Sequence, residues 1–243
     1  NFEDKFPMLL TATVGNISMV PNLKVTHLRI PKETLKGYQG PRFGIDGWYE
    51  ALGIEKGRPL LNNMIKPCSG YPLEVGVDLF YKAALGGCDV IKDDELIADM
   101  KYNSAVERVK AYMEKERQVY EETGEHTLYC VNVTDRLPRM FELAKRVVDA
   151  GVNAMMVNYV AVGHEAMRAL AEDPDINVPI LAHMDVAGAY FMSPNQGISS
   201  PLIFGKTARM CGADAMVIPF ALGGKAMYMG DRFKQSVNCM VYP

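Results

Sequence analysis

Short apolar runs alternate with longer segments of helical period along most of the chain, beginning near Leu60. This alternation predicts βα units around a parallel sheet, because buried parallel strands are almost continuously apolar and the helices that connect them are amphipathic. Six runs fit the pattern, at 60–66, 88–92, 127–133, 153–160, 178–183 and 214–219. Repeated units of this kind predict a barrel.

Helix boundaries are marked between several of these runs. Ser104 and Glu107 have the spacing of a capping box, which predicts a helix that begins after Ser104 and stops at Gly124. Ser200 followed by Pro201 predicts a second helix start, with serine as the N-cap. A weak internal repeat places a glycine suited to a left-handed helix C-cap just before three strands, at Gly87, Gly151 and Gly212.

Six units are two fewer than a closed (β/α)8 barrel requires. Either the chain is incomplete or the barrel interpretation is wrong. We favour incompleteness, because residues 231–243 have the pattern of a helix that leads to a strand not present in the sequence. The first residues differ from the rest, and a Gly/Pro-rich stretch at 37–47 predicts a connection between a strand-containing segment and the barrel.

Composition narrows the class of protein. The chain has 243 residues, 49% of them hydrophobic, and its 26 basic and 29 acidic residues give a net charge of −3, which argues against binding to nucleic-acid phosphates. No apolar run approaches the roughly 18 residues of a membrane span. Five cysteines without a C-x-x-C pair fit reduced thiols, and with no secretory leader after Asn1 they predict a cytoplasmic protein.

Polar residues stand at the ends of successive apolar runs. In a parallel barrel the C-terminal ends of all strands meet at one face, so these side chains are expected to converge. Lys92 and Asp94 point the same way because a strand alternates with period two, and Glu95 can turn inward as the strand ends. The residues are Lys66, Lys92, Asp93, Asp94, Glu95, Asn132, Asp135, Asn158, His183 and Asp185.

The residues alone leave two interpretations of the Lys92–Glu95 segment open. One is a solvated charge run after a strand. The other is a Mg²⁺ site, because Asp94 and Glu95 supply the oxygen ligands that this ion prefers.

Four segments resemble, in order and spacing, the RuBisCO large-chain family. They are Gly40-Pro41-Arg42-Phe43-Gly44-Ile45, Gly57-Arg58-Pro59-Leu60-Leu61, Ile65-Lys66-Pro67 and the segment Gly86–Glu95. The resemblance runs from about Pro7 to Lys225. It implies an α/β fold, a (β/α)8 TIM barrel with about six of its eight units in residues 46–243, preceded in residues 1–45 by the end of an α+β N-terminal domain and its connection.

The resemblance also implies a metal site and a base. Lys92 matches a lysine that CO2 converts to a carbamate, which binds Mg²⁺ together with Asp94 and Glu95. Lys66 matches a lysine that moves protons during enolisation, and His183 matches the histidine at the end of the fifth strand. Mg²⁺ would act as a Lewis acid on a carbonyl while a nearby base takes the α-proton.

Further matches concern the substrate and the assembly. Asn16 matches an asparagine that the N-terminal domain of a partner subunit contributes to the active site, so a homodimer or higher homo-oligomer is expected. Lys225, which follows Gly223 and Gly224, has two interpretations: the mobile-loop lysine of the family, or a surface lysine after a glycine turn. Asn132 and Asn158, at the ends of the third and fourth apolar runs, are predicted to bind a phosphorylated small-molecule substrate.

Departures from the family pattern refine the prediction. Carboxylases have lysine, arginine and histidine at the positions of Cys68, Met184 and Ala187, and the loss of these charges indicates the RuBisCO-like, non-carboxylating branch (form IV). The diketone enolases of methionine salvage use a lysine base where this chain has Asn16.

The predicted function is Mg²⁺-dependent enolisation of a phosphorylated sugar-derived substrate, leading to isomerisation, tautomerisation or decarboxylation without CO2 fixation. That makes the protein a lyase or isomerase. The alternatives are a true ribulose-bisphosphate carboxylase, a non-catalytic member that binds a metabolite or a partner, and an unrelated barrel whose motifs coincide by chance.

Overall fold

The structure is a computed structural model, and it describes residues 3–219. The helices in this range are α1 (Phe6–Val14), α2 (Lys32–Leu35), α3 (Gly44–Leu52), α4 (Leu73–Leu85), α5 (Ala105–Thr123), α6 (Arg139–Asp149), α7 (Tyr159–Val162), α8 (His164–Glu172), α9 (Gly188–Phe191) and α10 (Thr207–Met210). The strands are β1 (Lys24–Val25), β2 (Asn62–Met64), β3 (Val90–Lys92), β4 (Leu128–Asn132), β5 (Ala154–Val157), β6 (Ile180–Ala182), β7 (Gly197–Ile198) and β8 (Ala215–Met216). A 3₁₀-helix covers Asn16–Met19 and a π-helix covers Pro201–Lys206.

The chain divides into two compact units. The first unit contains the described residues of Asn1–Arg42, Asn158–Glu172 and Ala182–Pro243. The second unit contains Phe43–Val157 and Asp173–Leu181.

The second unit is a parallel sheet with the order β2, β3, β4, β5, and each strand pairs with the next one along the chain. Met64, Lys92 and Cys130 stand opposite one another in register near the strand ends. The N–H of Met155 donates to the carbonyl of Pro179, next to β6, at 3.0 Å. All six predicted apolar runs contain a strand, which confirms the predicted series of βα units.

Burial explains why these segments form strands and helices. Every residue of β3, β4 and β5 is buried, as expected of strands covered on both faces. Helix α5 begins where Ser104 Oγ accepts the N–H of Glu107 at 3.3 Å and ends at Gly124 in the left-handed conformation (φ 77°), as predicted. The repeated glycines also have positive φ, at Gly87, Gly151 and Gly212.

The first unit holds a separate short sheet. β1 and β7 pair in parallel, with Lys24 opposite Gly197 and Val25 opposite Ile198. Next to β8, the N–H of Val217 donates to the carbonyl of Ala182, the last residue of β6, at 2.9 Å. The alternation of runs did not predict β1 or β7, because two residues are too short to show a period.

Two local predictions are corrected. The predicted run 153–160 is a strand only over β5, because the carbonyl of Asn158 accepts the N–H of Val162 at 3.1 Å and closes the helical turn α7. Ser200 is not an N-cap: its backbone is helical (φ −57°, ψ −40°), and the carbonyl of Ser199 accepts the first N–H groups of the turn, from Leu202 and Ile203.

Some predictions fall outside the described residues, namely the helix at 231–243 and the site residue Lys225. Among residues 3–219, none of the helices has the length and apolar character needed to cross a membrane.

Candidate active site

Lys92 is the last residue of β3 and its side chain is buried, with 5% of its surface exposed. Its Nζ donates to the carbonyl of Asp93 at 3.0 Å and lies 3.6 Å from Oε2 of Glu95. Burial lowers the pKa of Lys92, although Glu95 and Asp94 act in the opposite direction. The buried environment therefore makes the neutral amine, the form of lysine that reacts as a nucleophile, more accessible than it is in an exposed lysine.

Asp94 follows two residues after Lys92 and is fully buried. Its carboxylate forms an ion pair with Lys66, which lies two residues after the end of β2, and also accepts the N–H of Leu96 at 3.0 Å. The Lys66 ammonium is 47% exposed and its Nζ lies 3.2 Å from Sγ of Cys68. Lys66 and Asp94 thus bring the ends of two adjacent strands together.

The two partners shift each other's pKa. The hydrogen bond to Asp94 raises the pKa of Lys66 well above its ordinary value. Burial acts to raise the pKa of Asp94, but the hydrogen bonds from Lys66 and from the Leu96 N–H outweigh burial and lower it. In this arrangement Lys66 is an ammonium and Asp94 a carboxylate.

Asn132, at the end of β4, binds the backbone of the acidic segment. Its Nδ2 donates to the carbonyl of Glu95 at 3.1 Å, and its Oδ1 accepts the N–H of Thr134 at 3.1 Å. These contacts assign Asn132 a role in holding the loop that carries Asp94 and Glu95.

The sequence analysis missed a buried network around Asp93. The carboxylate of Asp93 is fully buried and accepts from Arg108 Nη2 at 2.9 Å, from the Tyr129 hydroxyl at 2.7 Å and from the Asn132 N–H at 2.9 Å. Arg108 is also fully buried and donates to the carbonyls of Asn103 at 2.6 Å and Ala98 at 3.2 Å.

The position of Arg108 in the sequence of α5 is an indication of this network. Arg108 stands three residues after Ala105 and next to Val109, on the buried face of α5, which is mostly apolar. A charged residue in an apolar stripe requires a buried partner of opposite charge, because an unpaired buried charge is very costly. Asp93 was available because it alternates with Lys92 and Asp94 along the strand.

The side chains around Lys92 can be compared with the ligands that a divalent cation requires. Among residues 3–219, no three His, Cys, Asp or Glu side chains form a group that could hold a metal ion. Asp94 and Glu95 offer two carboxylates, and the neighbouring side chain is the amine of Lys92. A carbamate on Lys92 would add a third anionic oxygen donor and so fits the hard-cation chemistry of this site.

The other predicted site residues belong to the first unit or lie outside the described range. Asn158 and His183 are buried and come directly after β5 and β6, and His183 Nδ1 lies 3.5 Å from Oδ2 of Asp185. Asn16 is exposed and begins the 3₁₀-helix. The structure therefore brings together Lys66, Lys92, Asp94, Glu95 and Asn132 within the second unit.

Known proteins resemble this chain over most of its length. Residues 44–233 match the family model of the ribulose bisphosphate carboxylase large chain, catalytic domain. A ribulose bisphosphate carboxylase-like protein of Archaeoglobus fulgidus is 51% identical over all 243 residues, and this chain covers 55% of it. A 2,3-diketo-5-methylthiopentyl-1-phosphate enolase of Bacillus thuringiensis is 39% identical over 227 residues, which are 93% of this chain and 55% of that enzyme.

Solved structures show the same fold. The rubisco-like protein MtnW of Alicyclobacillus acidocaldarius superposes with a TM-score of 0.91 and 35% identity, over 96% of this chain and 59% of its own. Solved carboxylases of this fold include an octamer and a dimer. The chain spans about half the length of the curated relatives it matches. These likenesses confirm the predicted TIM-barrel fold.

Proposed function

We propose that this chain, which belongs to the ribulose bisphosphate carboxylase large-chain family, is part of an enzyme that removes a proton next to a carbonyl group. The substrate is a phosphorylated sugar-derived compound, and the outcome is isomerisation, tautomerisation or decarboxylation without fixation of CO2. The proposal is carried by the grouping of Lys66, Lys92, Asp94 and Glu95 at the ends of β2 and β3. It is supported by the relatives, one of which is an enolase of a phosphorylated diketone.

The metal-binding residues are Asp94, Glu95 and a carbamate on Lys92. The carbamate forms when the neutral Lys92 amine bonds to the carbon of CO2 and the nitrogen releases one proton to water, so the side chain changes from a neutral amine to an anion. Mg²⁺ held there would act as a Lewis acid on a substrate carbonyl and make the adjacent C–H more acidic.

Lys66 is the group that holds and moves the proton. While it is paired with Asp94 it is protonated and cannot accept another proton. When the Asp94 carboxylate is engaged elsewhere, Lys66 loses the partner that raises its pKa and becomes a competent base. Its partial exposure lets the amine reach a substrate without rearrangement of the buried strand ends.

Other residues complete the site in this proposal. His183 and Asn158 bind and orient the substrate, Asn132 holds the loop that carries Asp94 and Glu95, and Lys225, which lies outside the described residues, stays a predicted catalytic lysine. Asn16 is contributed to a neighbouring subunit in a homodimer or a larger homo-oligomer, consistent with the oligomeric carboxylases of this fold. We place the enzyme in the cytoplasm.

The departures from the carboxylase pattern support a reaction without CO2 fixation. Cys68, Met184 and Ala187 are uncharged where carboxylases carry cations or a histidine. The relative at 51% identity is likewise a carboxylase-like protein. Asn16 cannot act as the lysine base that the diketone enolases use, so we leave the substrate at the class of phosphorylated carbonyl compounds.

Proton exchange tests the reaction. The complete protein, with Mg²⁺ and bicarbonate, is incubated in D2O with a panel of phosphorylated ketoses and diketones, and deuterium incorporation at the α-carbon is followed by NMR. We expect exchange in at least one compound, its loss in Lys66→Met, and its retention in Lys110→Met, an exposed lysine on α5. Absence of exchange in every compound would refute the proposal.

Carbamylation is tested separately. ¹³CO2 added to the protein should give a carbamate ¹³C signal that is absent in Lys92→Ala and unchanged in Lys110→Met. Incorporation of ¹⁴CO2 into an acid-stable product of ribulose bisphosphate would instead favour the carboxylase alternative. Exchange activity that survives Lys92→Ala would contradict the metal site.

A further inference from the structure

A cavity lies wholly within the first unit, and none of the residues of the proposed metal site lines it. Its volume is about 560 Å³, which is within the range of small-molecule sites. It lies between the segment that follows β1, including α2, and the helix α10. Its lining combines four basic side chains with an apolar wall formed by Ile30, Leu35, Pro41 and Met210.

The basic side chains are Arg29, Lys32, Lys206 and Arg209, and among residues 3–219 no acidic side chain lines the cavity. Lys206 is held in place by its bond to the carbonyl of Leu28 at 2.8 Å, which leaves the remaining ammonium hydrogens for another acceptor. Four cations around one cavity repel each other, and an anion between them relieves that repulsion.

Two buried polar atoms of the lining have no hydrogen-bond partner within the described part of the chain. They are the hydroxyl of Tyr38 and Nε of Arg209. Tyr38 is only 8% exposed. Burial lowers the pKa of Arg209, and Asp214 offsets this only in part. Both side chains belong to residues that line the cavity, and buried donors normally have an acceptor.

Contacts of its ring hold Tyr38 in place. The guanidinium of Arg168 lies over the Tyr38 ring at 4.5 Å, and the Phe6 ring meets its edge at 6.3 Å. These contacts set the position of the ring and of the hydroxyl that it carries.

We propose that this cavity binds a small organic anion, with a phosphate or carboxylate group held by Arg209, Lys206 and the Tyr38 hydroxyl, and an apolar body against the Leu35 and Met210 wall. Arginine and lysine recognise such oxyanions through charge-assisted hydrogen bonds. Inorganic phosphate would leave part of the cavity empty, and an apolar ligand body beside the apolar wall would fill that part.

Calorimetric titration of the complete protein tests the proposal. Inorganic phosphate and phenyl phosphate are titrated at constant ionic strength set with NaCl, in wild type and in Lys92→Ala. We expect both anions to bind, phenyl phosphate the more tightly because its ring contacts the apolar wall. Binding that persists in Lys92→Ala shows that it does not require the proposed metal site. The cavity variants separate it from binding of substrate in the proposed active site, so the two proposals can fail independently.

Variants locate the binding site. Arg209→Gln should weaken phenyl phosphate about tenfold and Tyr38→Phe about threefold. The matched controls, Arg146→Gln and Tyr190→Phe, change exposed residues outside the lining and should leave the affinity unchanged. If Arg209→Gln does not fold, Arg29→Gln replaces it, because Arg29 is exposed and lines the same cavity.

Two results would overturn the proposal. One is binding of equal strength in wild type, Arg209→Gln and Tyr38→Phe. The other is absence of binding together with a lower melting temperature of Arg209→Gln in phosphate-free buffer, which would show that a carboxylate of the protein itself occupies the cavity.

Discussion

Asp93 and Asp94 are neighbours in the sequence, yet they form two very different ion pairs. The Asp93–Arg108 pair is fully buried on both sides, and both partners make additional hydrogen bonds. The Asp94–Lys66 pair joins a buried carboxylate to a lysine that is 47% exposed. Strand alternation directs the two carboxylates to opposite sides, so one becomes part of the core and the other part of the candidate site.

The difference shows how a rigid support and a reactive group can share one short segment. A buried pair persists only when its geometry and hydrogen bonds repay the desolvation of both ions, as they do around Arg108. An exposed lysine loses little when it leaves its partner, because water replaces the contact. The first pair holds the end of β3 in place, and the second can exchange partners.

The largest expected effect is on stability, through Arg108→Met. This change leaves the Asp93 carboxylate buried without its cation and should lower the free energy of unfolding by about 3–5 kcal/mol, measured by urea denaturation of the complete protein. Arg146→Met, at an exposed position on α6, should change it by less than about 0.5 kcal/mol. The double variant Asp93→Asn/Arg108→Met should recover part of the loss, and strictly additive losses would contradict the pairing.

The second effect is on activity, through Lys66→Met. Removal of the proposed base should slow α-proton exchange by about 100-fold or more. The free energy of unfolding should fall by less than about half of the loss in Arg108→Met, because the lysine is partly exposed. A variant that loses stability as Arg108→Met does while keeping its exchange rate would reverse the roles assigned to the two pairs.

A third effect appears in alkaline solution, through Tyr129→Phe. Burial raises the pKa of Tyr129 well above its usual value, and the Asp93 carboxylate raises it further. The unfolded chain releases this proton near pH 10, whereas the folded chain keeps it. The contribution of the Tyr129 hydroxyl to the free energy of unfolding is therefore complete below pH 10 and is lost as the pH rises above it.

Above pH 10 the free energy of unfolding should therefore fall by about 1.4 kcal/mol per pH unit for this tyrosine, and Tyr129→Phe should remove that slope. Urea denaturation at several pH values between 9 and 11 measures it. Tyr190→Phe, a partly exposed tyrosine, should leave the slope as in wild type. An unchanged slope in Tyr129→Phe would show that this hydroxyl does not titrate with unfolding.

The smallest expected effect comes from Cys68→Ala. The thiol contacts Lys66 Nζ at 3.2 Å but is a weak acceptor, and Asp94 holds the ammonium without it. The variant should change the free energy of unfolding by less than about 0.5 kcal/mol and the exchange rate by less than about threefold. A loss of exchange comparable to that of Lys66→Met would make the thiol part of the proton-transfer machinery.

Much of the fold was predictable from local patterns. The six apolar runs each contain a strand, and the strands β3, β4 and β5 are buried along their whole length, whereas β2 is mostly exposed. Helix α5 has the limits that Ser104 and Gly124 predict. The incorrect predictions also concern local structure. Ser200 has the residue type of an N-cap, but the carbonyl of Ser199 satisfies the first N–H groups of that turn.

The candidate site was predictable in part. Lys66, Lys92, Asp94 and Glu95 could be named because each follows an apolar run, and the structure groups them. The pairing of Asp93 with Arg108 could not be predicted from the strand ends, because Arg108 lies in the first turn of a helix, fifteen positions later. The contacts of Asn132 with backbone carbonyls could likewise not be predicted from its residue type.

The order of residues along this chain determined which side chains stand at strand ends and which way they alternate, since both depend only on near neighbours. Tertiary structure alone decided their partners: that Lys66 meets Asp94, that Arg108 neutralises Asp93, and that Tyr38 and Arg209 border one cavity. The physical reason is that ion pairs and cavities join groups distant in sequence, and packing selects among the many pairings that charge alone would allow.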